Sequence, residues 1–164
     1  MESLSEKELV KGLEAQDAPT ANSAVREILK RGVVTLPYLL DYENDRRLFS
    51  GTALINPNAS IMLPMAAPGF PVPESAMDRA TTLEVAALYM ISAIYFGKVP
   101  FANAPLLTDL SVPVGQREAR NSKANLRRGF ESARKWSREC KERGIEKMRE
   151  EMRDPLQSGK VGWY

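Results

Sequence analysis

Residues 81–96 read Thr-Thr-Leu-Glu-Val-Ala-Ala-Leu-Tyr-Met-Ile-Ser-Ala-Ile-Tyr-Phe. Apolar side chains fall on every side of a helical wheel here, so the helix has to be buried on most sides. Thr81-x-x-Glu84 supplies a capping box, and Gly97 supplies a left-handed stop. The apolar run from Val85 to Phe96 is broken only by Ser92. It falls short of the roughly 20 residues that span a bilayer. A helix this apolar must have protein on all sides, so the remaining chain is its cover. Tyr89 and Tyr95 then need a rim position or a buried acceptor for their hydroxyls.

The chain has 164 residues, enough for one domain with a sizeable core and too few for two full-sized ones. The N-terminal hairpins are expected over 3–54. Ser5-x-x-Glu8 forms a capping box, and Leu9, Val10 and Leu13 give a short amphipathic helix ending near Gln16. Ala21, Ala24, Val25, Ile28 and Leu29 keep the spacing of one buried helical face, and Gly32 stops that helix. Thr35 is positioned to cap a third helix with Pro37 in its first turn, burying Leu36, Leu39 and Leu40. Residues 41–56 are ambiguous: one reading makes Asp45 to Leu54 a further short helix with Phe49, Ala53 and Leu54 on its buried side.

Two proline-rich apolar loops are expected, at 56–75 and 97–115. The first holds Pro57, Pro64, Pro68, Pro71 and Pro73 beside Ile61, Met62, Leu63, Met65, Phe70 and Val72. Proline at that density stops helix and ladder alike, and the apolar content argues against a flexible linker. The loop reads either as cover for the core or as an adaptable binding surface. In the second loop, Phe101, Leu106, Leu107 and Leu110 serve as anchors. Long charged helices follow over 116–153. Leu126, Phe130, Ala133, Ser137 and Cys140 share a stripe about 80° wide, while Ile145, Met148 and Met152 lie on a shifted one. That drift predicts a break at Gly144. The tail 154–164 returns Trp163 and Tyr164 to a helix. No segment reads as a strand. The expected fold is all-α, with six or seven helices and two long loops.

Charge divides the chain. Residues 114–164 carry 14 Lys and Arg against 8 Asp and Glu, a surplus of six; residues 1–113 carry 9 against 13, a deficit of four. The chain contains no histidine and one cysteine. Ser-His-Asp and Cys-His catalysis, His-ligated zinc and internal disulfides are thereby excluded. No phosphate loop or dinucleotide fingerprint is present, and no cofactor is implied. The first residues lack a basic or apolar leader pattern. Cytoplasm is the default location, with an exported protein free of disulfides as the alternative.

Residues 24–32, Ala-Val-Arg-Glu-Ile-Leu-Lys-Arg-Gly, followed by Leu36-Pro37-Tyr38-Leu39-Leu40, resemble a HEAT-type repeat. In such repeats a Gly ends the first helix and a Leu-Pro-x-Leu-Leu segment begins the second. The resemblance covers residues 20–40, and no second copy follows at a period of roughly 40 residues. It implies a stacked-helix scaffold that binds other macromolecules and carries no catalysis of its own.

The candidate site is a basic ridge. Arg120, Lys123, Arg127, Arg134, Arg138 and Lys141 fall within an arc of about 60° on one helix, with no acid inside it. Such a ridge suits an acidic protein, or the phosphates of a nucleic acid or another polyanion. The plain alternative is a solvated helix face supported by Glu131–Lys135 and Glu139–Arg143 pairs. Asp41-x-Glu43-x-Asp45 imitates a calcium loop, but Arg46 and Thr52 stand where Gly and Glu are needed. Cys140 lies on the apolar stripe, where it packs as a small hydrophobe. Asn58-Ala59-Ser60 matches a glycosylation triplet. The expected function is a non-enzymatic module binding a protein partner. Nucleic-acid binding through the ridge is the first alternative. A carboxylate-based enzyme with its site between the loops is the second.

Overall fold

The computed structural model describes residues 3–58 and 74–164. Its helices are α1 (Glu6–Lys11), α2 (Ala18–Arg31), α3 (Leu36–Leu40), α4 (Leu83–Phe96), α5 (Lys123–Arg143) and α6 (Ile145–Glu150). Two short strands, β1 (Leu107–Asp109) and β2 (Val161–Trp163), complete the set. The described chain is mostly helical with little strand, as an all-α fold requires. The apolar residues 61–72 of the first proline-rich loop lie outside the described residues, as does most of the glycosylation triplet.

α4 is the centre. Every residue from Leu83 to Ile94 is buried, which follows from its lack of a polar face. Its cap lies one residue later than expected. Thr82 Oγ1 accepts from Val85 N–H at 3.3 Å. Glu84 does not reach back to its own helix start; its Oε1 accepts from Asn44 N–H at 3.0 Å. Gly97 closes the helix in the left-handed conformation, φ 74°.

α1 opens with the expected reciprocal box: Ser5 Oγ accepts from Glu8 N–H, and Glu8 Oε2 accepts from Ser5 N–H. Asp17 caps α2 through Thr20 N–H at 2.8 Å. Leu9, Val10, Leu13, Ala21, Ala24, Val25 and Ile28 all enter the core. Thr35 does not cap α3; its hydroxyl donates to Gly32 O at 2.7 Å inside the turn between α2 and α3.

The expected helix over Asp45–Leu54 is absent. That segment runs past the start of α4 and satisfies its first-turn donors. Leu83 N–H donates to Arg47 O at 2.7 Å, and Glu84 N–H to Asp45 O at 3.0 Å. Farther on, Asn22 Oδ1 accepts from Thr52 N–H and Ala53 N–H. Distant partners outcompete a local helix, and Phe49 and Leu54 are still buried.

The expectation of no strand is corrected too. β1 pairs antiparallel with β2, with Leu107 opposite Trp163 and Asp109 opposite Val161. Three-residue strands at opposite ends of the stretch from Leu107 to Trp163 carry no readable period. Pairing seats the tail: Trp163 Nε1 donates to Ser92 Oγ at 3.0 Å. Its ring meets Tyr89 edge-on at 5.1 Å, and Tyr89 stacks on Phe101 at 4.3 Å. The fully buried Tyr89 hydroxyl accepts from Phe101 N–H and Ala102 N–H. Leu110, expected as an anchor, is 43% exposed.

α5 starts at Lys123, capped by Ser122, not near 116. Its buried arc is about 160° wide, twice that expected, because Asn125, Gly129, Ser132 and Trp136 join the apolar stripe. Gly129 is needed for this approach: a Cβ there would sit 2.8 Å from Leu88 Cδ2 on α4. The break at Gly144 is present, at φ 84° and ψ 149°. Beyond it Met148 is buried, but Met152 is 77% exposed at the end of the turn that follows α6.

Candidate functional site

The ridge residues divide into two groups. Arg120 lies ahead of α5, so its helical-wheel position does not apply, and it pairs with Asp78. Arg134 pairs with Glu43, donates to Leu40 O at 3.3 Å and lies over the Phe130 ring. These two arginines bind α5 and its approach to the rest of the fold. Lys123, Arg127, Arg138 and Lys141 are exposed and have no ion-pair partner among the described residues. From Lys123 to Lys141 they span about 27 Å of helix. Exposed Glu131 and Glu142 border them.

Two of the three acids in the run Asp41-x-Glu43-x-Asp45 are in ion pairs. Glu43 holds Arg134, and Asp45 takes Arg47 through two side-chain hydrogen bonds. Those bonds hold the Asp45 carboxyl below the usual range. Cys140 is buried, and burial pushes its thiol up, away from reactivity.

A cleft of about 200 Å³ opens beside the starts of α4 and α5. Arg46, Asp78, Thr82, Glu84, Asn121 and Lys123 supply its polar groups. Glu84 is 4% exposed. Burial, chiefly, pushes its pKa up; Glu43 and Asp45 add to this, while the Asn44 N–H and Arg46 oppose it. Asn121 is fully engaged. Its Oδ1 accepts from Leu107 N–H at 2.9 Å, and its Nδ2 donates to Pro105 O and Ala80 O. Asp78 is tied to Arg120, so Glu84 is the one buried carboxylate in this cleft.

A second, more open groove lies between α5 and residues 151–158. Ser132 donates to Pro155 O, and Trp136 Nε1 donates to Arg153 O. Asp154 there has its pKa raised by burial. Arg128 secures the neighbouring tail through Gly159 O, Lys160 O and Asp109. Asp109, held by Arg128 and Ser111, titrates well below the usual carboxylate range.

Several of these residues gave no sequence signal. Asn121, Arg128 and Arg149 belong to no motif. Arg149 donates to Ile94 O and Tyr95 O, both at 2.9 Å, and so closes the C-terminus of α4. Arg149 also pairs with Glu146 one turn before it. No helix among the described residues is long and apolar enough to cross a membrane. Comparison of the chain with protein-family models, with curated proteins and with solved structures finds no match.

Proposed function

We propose that the chain is a non-enzymatic helical interaction module, and that its partner is a protein presenting acidic groups to α5. The observation that carries this reading is the set of exposed, unpaired cations Lys123, Arg127, Arg138 and Lys141 on one helix face. Charges left unpaired on a rigid element steer an oppositely charged partner and fix its register. A protein suits this face better than a nucleic acid. Arg120 and Arg134 are neutralised internally, and Glu131 and Glu142 border the remaining cations. A phosphate chain meets those glutamates with repulsion, whereas a protein surface can answer them with cations of its own.

The reading extends to the hairpin α2–α3 as one HEAT-type unit of the scaffold. Gly32 at its turn, with φ 67°, and the buried Leu36 and Leu39 support it.

The test compares a glutamate-rich peptide with a random oligonucleotide by fluorescence anisotropy across a salt series. The protein reading expects peptide binding that is lost when Lys123, Arg127, Arg138 and Lys141 are replaced by Ala. Peptide binding unchanged in that variant removes the reading. Tighter binding of the oligonucleotide would favour a nucleic acid. A log–log salt slope near −3.6 would then match four contacts to duplex phosphates.

A further inference from the structure

We infer that the cleft at the starts of α4 and α5 binds a small zwitterion, with its ammonium on Glu84 and its anionic group on Arg46 and Lys123. Glu84 is the reason to expect a cationic group. A carboxylate this buried normally has a cation or several donors beside it. Glu84 has a single donor, the Asn44 N–H on Oε1, and no ion pair among the described residues. Glu84 is one of the residues lining the cleft. Glu43 and Asp45 add to the unfavourable field at this carboxylate, and Arg46 offsets part of it. An ammonium in the cleft relieves both deficits at once.

The anionic end of the ligand follows from the cations in the lining. Arg46 and Lys123 both line it, are exposed and have no ion-pair partner among the described residues. α5 also begins here, and the N–H groups of its first turn favour negative charge. A simple cation would be repelled by Arg46 and Lys123. A simple anion would be repelled by Glu84. A molecule carrying both charges a few bonds apart satisfies the whole lining, and the volume of about 200 Å³ suits a small amino acid. The remaining polar groups do not compete: Asn121 is engaged on both sides of its amide, and Asp78 is held by Arg120.

The experiment is a titration of the ¹⁵N-labelled chain with glycine, L-alanine, L-aspartate, β-alanine and γ-aminobutyrate. Methylammonium chloride and sodium acetate are controls at matched ionic strength. The expected result is saturable shifts of the Asn44, Glu84, Val85 and Lys123 amides with at least one amino acid, and none with either control. Glu84→Gln keeps an oxygen for Asn44 N–H but loses the charge, and should weaken that binding tenfold or more. Lys123→Ala, an exposed change that leaves the fold alone, should weaken it severalfold and serves if the first variant does not fold. Absence of saturable shifts with all five amino acids overturns the inference. Equal response to acetate alone, or equal affinity in Lys123→Ala, overturns it as well.

Discussion

Gly144→Ala tests whether the turn between α5 and α6 is required or merely permitted. Gly144 sits at φ 84° and ψ 149°, a region that only glycine occupies readily. A side chain there costs about 1–3 kcal/mol. No heavy atom lies within 4 Å of the added Cβ, so the cost is backbone strain alone, with no clash to add. In a chain of this size 1 kcal/mol moves the melting temperature by about 2–4 °C. The expected drop is therefore about 2–12 °C. The alternative open to the variant is to straighten, which would swing α6 away. Met148 would leave the core, and Arg149 would release the Ile94 and Tyr95 carbonyls. Gly115→Ala is the control, since its Cβ also meets open space without a positive φ, and it should change stability by less than about 1 kcal/mol. Differential scanning calorimetry reads both variants, and circular dichroism at 222 nm reads helix content. A Gly144→Ala protein that melts at or above the wild type with added helical signal would refute the reasoning. The turn would then hold nothing in place.

Arg149→Met removes two charge-assisted hydrogen bonds from the end of α4 and should cost about 1.5–3 kcal/mol by urea denaturation. Asn121→Leu leaves the Leu107 N–H and Pro105 carbonyl without their partner; a loss of about 2–6 kcal/mol is expected by the same measurement, since each unmet group costs about 1–3. Glu84 has a folded pKa above its ordinary value near 4.5, so its ionisation works against folding. Stability should fall as the pH rises from about 4.5 through the raised pKa, and that part of the pH profile of urea midpoints should flatten in Glu84→Gln.

The helical skeleton was legible where apolar spacing and a cap agreed. Leu9, Val25, Ile28 and Phe130 announced themselves by period, and Gly32, Gly97 and Gly144 by position. What was not legible depends on partners far away in sequence. Phe49 and Leu54 showed an apolar pattern that suits a helix, yet their backbone belongs to α4 and Asn22. Thr82 and Thr81 are equally good caps in isolation, and the donor from Asn44 decides where Glu84 points. Gly129 and Ser132 look like surface until Leu88 and Pro155 are brought against them. The ridge was half legible: wheel angles collect Lys123, Arg127, Arg138 and Lys141, but they cannot show that Arg134 is claimed by Glu43. The cleft was invisible, because Arg46, Glu84 and Lys123 share no spacing.

The way the cover closes over α4 has a consequence for time as well as for stability. Helical proteins usually fold fast because their contacts are local. Here Arg134 reaches Glu43 across 91 residues, Trp163 reaches Ser92 across 71, and Arg149 reaches Ile94 across 55. Each closure must wait for a long stretch of chain to return. Until then α4 is an apolar rod with incomplete cover, which is the kind of intermediate that self-associates. This chain should therefore refold more slowly than its helix content suggests, and its refolding yield should depend on protein concentration.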